Sequence, residues 1–518
     1  MKDEKLNCLL IHVPKFKHYF YPFNTTMFIN LMPVGLLSIA DVLSRKGYKV
    51  EIIHLGIENL YNPEFSLENY LKWKNPDVVG ISLHWHHQSY DAIKIAKKVK
   101  ETLPYSFLVL GGFTASVFSE EILKSFDFID GIIRGEGEIP MVELLSEIGS
   151  GRNFSRVPNL IWRDGKRIIK NEHSFVSDNE QLSSFSFENY SLVKNFKHYF
   201  KMFYYMFPEH RGVNALMEKI GIKASVFVPI GRGCLGNCTY CGGSYSFYSK
   251  YLLRKNLSVR DVDTVVGGIE RLIKDYEIKK FNIDFCPFDA ENYFSELFRK
   301  LRKNKIEISL NISSYFLPSK DLVLEFKNTF KEGSEIIISP DTGSDSLRKI
   351  HKTCFYSNED LINTLEFMEM QRVPSSLYFI SGLPLENENH RDETKKLFRF
   401  LSRFKMVKRI ITYPLEIDPG STLFHEPERF SIVLKVRNFQ DYYILHSRRI
   451  FSPGYNIMEL SDKEMFKIKC KNFCYLHPTK GKFLCKLSRL FFRYKIFDHL
   501  LLRGTSIFSP VGRKVLRL

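Results

Sequence analysis

The segment GRGCLGNCTYCGGS sets Cys234, Cys238 and Cys241 in a C-x3-C-x2-C spacing among glycines. Thiolates are soft donors that suit iron–sulfur clusters and zinc. Three of them on so short a loop can wrap one corner of a cubane, and the glycines let backbone N–H groups approach its sulfides. Three ligands leave one iron open. Structural zinc is the competing reading, but it normally takes four protein ligands from paired C-x2-C segments, and no fourth Cys or His lies within the loop. Nine cysteines are an odd number, and charges of both signs open the chain in MKDEKLN, where a leader would need an apolar run. A cytoplasmic chain with metal-binding cysteines is therefore expected before a disulfide-bonded one.

Chemistry of this kind needs a scaffold. Residues 6 to 150 alternate short apolar runs with helical patterns, as in LNCLLIHVP, VGLLSIADVLSRKG, DVVGISL, FLVLGG and GIIRGEG. This alternation predicts a doubly wound parallel sheet with ligands beyond the carboxyl ends of its strands. The uncharged stretch from His18 to Ala40 carries Pro22, Asn24, Asn30 and Pro33, which do not suit a membrane span, and it reads as a loop feeding a buried helix. A connector over 151–221 holds a β-hairpin at Asp164-Gly165. From 222 to 430 strand–helix units resume with ASVFVPIG, KKFNIDF, IEISLNIS, SEIIISP and SSLYFISG, predicting a partial or full parallel β/α barrel. The cysteine loop follows the first of its strands.

These residues resemble the radical S-adenosylmethionine (SAM) superfamily, whose defining loop has this cysteine spacing, often with an aromatic before the last cysteine, as Tyr240 is here. The resemblance implies a [4Fe-4S] cluster on Cys234, Cys238 and Cys241, with SAM chelated at the open iron and cleaved to a 5′-deoxyadenosyl radical. It also implies SAM contacts. IIISPDTGSDSLRKIHK would place Asp341 toward the ribose or methionine end, with Gly343 and Ser344 in the adjoining turn. FISGLPLEN, with Gly382, is similar to the end of the sixth strand near the adenine, and Asp284 in FNIDF ends the second strand at the level of the SAM amino group.

The N-terminal 1–150 region resembles the cobalamin-binding domain that precedes the barrel in one branch of the superfamily. On that resemblance Ser82, Leu83 and His84 of GISLHWHH, Gly111 and Gly112 of LVLGGFTAS, and Gly135 and Glu136 of RGEGEIPMVELL would line the cofactor. No D-x-H-x-x-G follows the first strand, so the cobalt would lack the histidine that this motif supplies. Among His84, His86 and His87, His84 is placed to approach the lower face of the corrin; a solvated polar loop is the alternative. A flavodoxin-like sheet using the same glycines for turns is the competing fold reading. The expected fold class is thus α/β: a Rossmann-like, cobalamin-binding type domain, a radical SAM partial barrel, and a basic, mainly helical region over 431–518.

Lys and Arg total 75 against 58 Asp and Glu, a net charge of +17, which favours an anionic partner without choosing one. From Lys480 to Leu518 basic residues interleave with Phe483, Phe491, Phe492 and Tyr494, with Asp498 as the one acid, and read as a peripheral contact for an anionic membrane. A core helix with a basic face is the alternative. Cys470, Cys474 and Cys485 have a poor spacing for a second metal site. By resemblance the activity is cobalamin-dependent methylation of an unactivated carbon in a small molecule or lipid, with a flavodoxin or ferredoxin as electron donor. Two alternatives stand beside it. One is a radical cyclase, or other C–H functionalisation without net methyl transfer, on a lipid or tetrapyrrole. The other is an iron–sulfur RNA-modifying or RNA-binding protein, for which the chain lacks a recognisable RNA module.

Overall fold

Apolar runs that lack a polar alternation become strands covered on both faces. β1 (Asn7–His12), β2 (Lys49–His54), β3 (Val78–Ser82), β4 (Phe107–Gly111) and β5 (Gly131–Ile133) pair in parallel in the order β2-β1-β3-β4-β5. Leu10 and Val109 face one core with Leu37 and Leu144 of the flanking helices, while Leu9, Ile11 and Ile81 face the other with Ile93. The strand order reverses between β1 and β3, so His12 and Ser82 stand at the crevice where doubly wound folds take their ligands. The structure, a computed structural model, describes residues 6–15, 31–62, 64–202, 225–287, 289–330, 332–447 and 455–457. The buried helix expected to follow the uncharged stretch is Gly35–Arg45, with Leu36, Leu37, Ala40 and Leu43 inside.

The hairpin at Asp164-Gly165 extends this sheet. β6 (Leu160–Asp164) runs antiparallel to β5, and β7 (Arg167–Lys170) antiparallel to β6.

After the two-residue β8 (Val226–Phe227), β9 (Gly231–Arg232) and β10 (Ser258–Val259) form a small antiparallel pair that carries the cysteine loop between them. β11 (Lys280–Ile283), β12 (Ser309–Ser314), β13 (Glu335–Asp341), β14 (Ser375–Ser381) and β15 (Val407–Pro414) then join β8 in one parallel sheet, β8-β11-β12-β13-β14-β15. Among the described residues β8 and β15 do not pair, so the barrel is open. Period-2 alternation sorts its side chains. Phe281, Leu310, Ile336 and Leu377 pack outward on the helices, and Asn282, Asn311, Tyr378 and Arg409 line the inner face. FISG closes β14, the fifth strand of this sheet and not the sixth; β15 is the sixth.

β16 (Ile432–Leu434) pairs with β17 (Tyr455–Ile457), and the helix Phe439–Ser447 returns to the N-terminal sheet, where Phe439 and Tyr442 enter its core beside Phe118. Residues 480–518, with Cys470, Cys474 and Cys485, lie outside the described residues. No described helix is long and apolar enough to cross a membrane.

The two sheets are locked together by charge. Glu136, after β5, accepts from Arg254 Nε at 2.8 Å and from Arg232 Nη1 at 2.8 Å, and from the Ser177 hydroxyl at 2.5 Å. Arg232 also pairs with Glu138. Gly135 lets the chains come this close: its φ is +70°, and a Cβ there would fall 2.7 Å from the Leu252 carbonyl oxygen.

Candidate active site

The cysteine loop leaves β9 with its three sulfurs already supplied with donors. Gly236 N–H points at Cys234 Sγ at 3.3 Å, Gly243 N–H at Cys241 Sγ at 3.3 Å, and Thr353 N–H at Cys238 Sγ at 3.5 Å. Backbone donors on each sulfur suit thiolates bound to iron, whose negative charge they stabilise. Without metal, burial pushes the Cys241 thiol up to about 12 and raises Cys234 as well. Irons entering the loop must therefore displace protons. The donor set fits a three-ligand cluster.

Sequence reasoning missed two further thiols. Cys354 follows the Thr353 that donates to Cys238, and burial followed by the charge of Cys238 raises it to about 11. Burial raises the thiol of Cys286, just past β11, with a smaller push from Cys234. Their isolation in the sequence hid them, Cys286 past β11 and Cys354 in the loop between the helices Asp345–His351 and Asn358–Gln371.

The SAM-facing candidates divide. Tyr240 donates its hydroxyl to Asp341 Oδ2 at 2.6 Å, and Lys352 Nζ reaches the same oxygen at 3.0 Å. Asp341 is 5% exposed, sits at a bulge in β13 with φ +64°, and so ties the cysteine loop to the fourth barrel strand. This places it in a buried ion pair, where the sequence reading had it facing SAM. Tyr240→Phe should cost about 2 kcal/mol, the range for a hydrogen bond to a charged group, and lower the melting temperature of the protein. Gly343 packs on the helix Glu388–Leu401, with its N–H on Thr394 Oγ1 at 3.0 Å, and Ser344 is fully buried as the N-cap of the next helix. Both shape the turn from within.

Asp284 behaves differently. It is open to solvent yet ringed by protein on the inner face of the barrel, and that surrounding protein raises its carboxyl, partly offset by a hydrogen bond with Ser313. Tyr315 donates to the Asp284 carbonyl at 3.3 Å, and Tyr378 stacks on Tyr413 with centroids 5.5 Å apart. Gly382, with φ +81°, turns the chain after β14; Glu386 accepts from its backbone N–H, and burial raises that carboxyl to about 7.

At the N-terminal domain the crevice is polar. Ser82 Oγ lies 3.0 Å from His12 Nδ1, and the His12 ring meets His54 at a tilt, with centroids 4.6 Å apart. His12 was not singled out from the sequence, although it ends the LLIH run. Leu83 is fully buried, and its N–H donates to the Gly111 carbonyl at 2.8 Å. Gly112, with φ +110°, has no room for a side chain because a Cβ would meet His84 Cα at 2.8 Å. The missing side chain lets the loops after β3 and β4 close on each other. The His84 ring packs at a tilt on Phe113, with centroids 4.3 Å apart, and burial lowers its imidazole to about 4, so it is neutral at pH 7. Glu136 pairs with Arg232 and Arg254 and accepts from Ser177 at the domain junction. His86 is 7% exposed, so the solvated-loop alternative does not hold there.

The two sites meet across one interface. Phe113, beside His84, packs on Phe247 at 5.1 Å and Tyr248 at 5.9 Å, on the helix that follows the cysteine loop. Asp418, after β15, accepts the Gly242 N–H at 3.2 Å. Ser82, His84 and Phe113 thus form a crevice facing the loop of Cys234, Cys238 and Cys241.

Comparison with known proteins finds two family matches. Residues 26–145 match the B12 binding domain family and residues 228–398 the radical SAM superfamily. The hopanoid C-3 methylase of Methylococcus capsulatus is 26% identical over 59% of this chain and 52% of its own length. The anaerobic magnesium-protoporphyrin IX monomethyl ester cyclase of Rubrivivax gelatinosus is 22% identical over 71% of this chain and 62% of its own. The match to the methylase therefore spans about half of that relative. Among solved structures, the radical SAM methyltransferase TsrM of Kitasatospora setae, with cobalamin and a [4Fe-4S] cluster bound, superposes with a TM-score of 0.66 at 13% identity. That match covers 91% of this chain and 88% of the other, and it is a likeness of fold.

Proposed function

Because the chain belongs to the radical SAM superfamily, in the branch with a B12 binding domain ahead of the barrel, we propose that it is a cobalamin-dependent methyltransferase acting on an unactivated carbon. The observation that carries this is the shared interface: the crevice of Ser82 and His84 and the loop of Cys234, Cys238 and Cys241 meet through Phe113, Phe247 and Tyr248. When bound there, the cluster supplies the electron that cleaves SAM to a 5′-deoxyadenosyl radical, and cobalamin carries the methyl group. Cys234, Cys238 and Cys241 would hold the cluster, and the N–H groups of Gly236, Gly243 and Thr353 orient the sulfurs. Asp284 and Tyr315 offer polar contacts on the inner face of the barrel, toward the SAM amino group on this reading. A low-potential reductant and a small-molecule substrate are general requirements of such enzymes.

The rim of the barrel favours an apolar substrate. Leu235, Phe316, Phe355 and Leu385 are each 39–53% exposed, and all four lie on loops at one end of the barrel, where catalytic loops sit. Exposed apolar side chains gathered at a mouth mark a binding surface. A lipid fits this rim, and the methylase relative is named for a hopanoid lipid. Incubation with SAM carrying a deuterated methyl group, a low-potential reductant and separate lipid and aqueous extracts tests it. The label should enter a lipid; 5′-deoxyadenosine release with no label in either pool would favour the cyclase alternative.

His84 gives a further expected result. Its neutral imidazole has no side-chain hydrogen-bond partner among the described residues and borders the crevice. His84→Ala should change the visible absorption spectrum of protein-bound cobalamin, while an unchanged spectrum would remove His84 from the cofactor's surroundings.

A further inference from the structure

A second group of metal-ligating side chains lies away from the cysteines, where the loop after β3 meets the segment after β15. His86, His87 and Glu416 each bring one ligand atom to within 4.8 Å of the others. His87 Nε2 lies 2.8 Å from Glu416 Oε2, and the His86 and His87 rings stack at 4.0 Å. His86 is 7% exposed, and its Nε2 is buried without a hydrogen-bond partner; the nearest carboxylate oxygen is Asp418 Oδ1, at 3.9 Å. A buried ring nitrogen left unpaired costs free energy that a ligand there would recover.

The surrounding groups resemble those that orient metal-bound histidines. His86 Nδ1 is 3.0 Å from His446 Nε2, on the helix Phe439–Ser447. Binding at Nε2 needs the His86 proton on Nδ1, donated to His446 Nε2; His446 then carries its own proton on Nδ1, and the long 3.4 Å contact of that atom with Lys15 Nζ has to open. Lys15 holds the backbone behind the group through the carbonyls of His87 and His446, each at 3.3 Å. The same Asp418 that faces His86 also accepts the Gly242 N–H next to Cys241.

We propose that His86, His87 and Glu416 form a site for a divalent transition-metal ion, with Asp418 within reach as a fourth ligand, that pins the loop carrying His84 to the barrel beside the cysteine loop. Two imidazoles and carboxylate oxygen are the donors that suit Zn2+, and the absence of sulfur separates this site from the cysteine loop. The hydrogen that joins His87 Nε2 to Glu416 Oε2 would have to leave Nε2 for the ion to bind there. The site rests on its own geometry and stands whether or not the chain transfers methyl groups.

The test uses the full-length protein with its iron–sulfur cluster reconstituted, so that the cysteines are occupied. After incubation with equimolar Zn2+ and desalting, zinc is counted by mass spectrometry and its ligands are read by X-ray absorption at the zinc edge. The expected result is about one zinc per chain in a shell of N and O ligands near ~2.0 Å. Zinc affinity should fall at least about tenfold in His87→Ala and in Glu416→Gln, and by about 10–100-fold in His446→Ala, which removes the orienting contact together with part of the cover of His86. A wild-type protein that retains no zinc, a shell containing sulfur, or equal retention in Glu416→Gln would overturn the proposal. Glu416→Gln keeps the shape of the side chain, and the wild-type absorption shell is read without any variant.

Discussion

Cys238→Ala leaves a folded protein that assembles no [4Fe-4S] cluster and releases no 5′-deoxyadenosine. Cys238 is half-buried on a loop, and its sulfur makes only a long contact, 3.5 Å, with the Thr353 N–H. Trimming it to a methyl group empties no core and should change stability by less than about 1 kcal/mol. A cubane corner held by three sulfurs has no spare ligand from the loop itself, so iron should drop from about four per chain to background. Cys354, beside Thr353, is the one thiol poised to compensate, and a Cys238→Ala protein that still holds iron would point to it. Iron and sulfide content, with the electron paramagnetic resonance signal of the reduced protein, reads this directly.

Arg254→Met is expected to have the largest effect on stability. Arg254 is 2% exposed, and its guanidinium donates to Glu136 at 2.8 Å, to Ser258 Oγ at 2.7 Å and to the Ser177 carbonyl at 2.7 Å. Arg254→Met leaves Glu136 buried with Arg232 as its remaining cation and strips donors from Ser258 Oγ and the Ser177 carbonyl, which should cost about 3 kcal/mol, the lower end of the range for breaking a buried pair. The loss should appear as a lower denaturation midpoint and as earlier proteolysis at the domain junction. The same pair carries a pH dependence. Burial by itself would raise the Glu136 carboxyl, but Arg232, Arg254 and Ser177 more than offset it and hold it below the ordinary range. A folded carboxyl below the unfolded value of about 4.3 contributes its full stability above that pH. The contribution is lost as pH falls through the folded value, so wild type and Arg254→Met should converge in strongly acid solution.

The cysteine loop and both sheets were legible because their signals are local: a ligand spacing, and apolar runs separated by amphipathic helices of matching length. β15 was harder to read. Lys408 and Arg409 interrupt its apolar pattern, and Arg409 turns inward to meet Glu335 and Ser376 Oγ, the latter at 3.1 Å. Five barrel strands are readable in the sequence, from ASVFVPIG to SSLYFISG, so FISG closes the fifth, and the sixth is the less legible β15. Glu136 and Asp341 show the limit for site residues. A Gly-Glu-Gly turn or an acid at a strand end reads the same whether it faces a ligand or an arginine from another domain, and the partners Arg232, Arg254 and Lys352 are set by tertiary structure. His86 was invisible as a buried group for the same reason, since its cover, Tyr442 and His446, comes from a helix more than three hundred residues away in the chain.

The central claim is that one interface brings together SAM cleavage and methyl transfer through cobalamin. Its most direct test is anaerobic: protein reconstituted with iron, sulfide and cobalamin, supplied with SAM, a low-potential reductant and a lipid extract, and assayed for 5′-deoxyadenosine and S-adenosylhomocysteine together. Both products should appear in similar amounts and both should depend on added cobalamin. Neither product from a protein with a filled cluster and bound cobalamin would contradict the account.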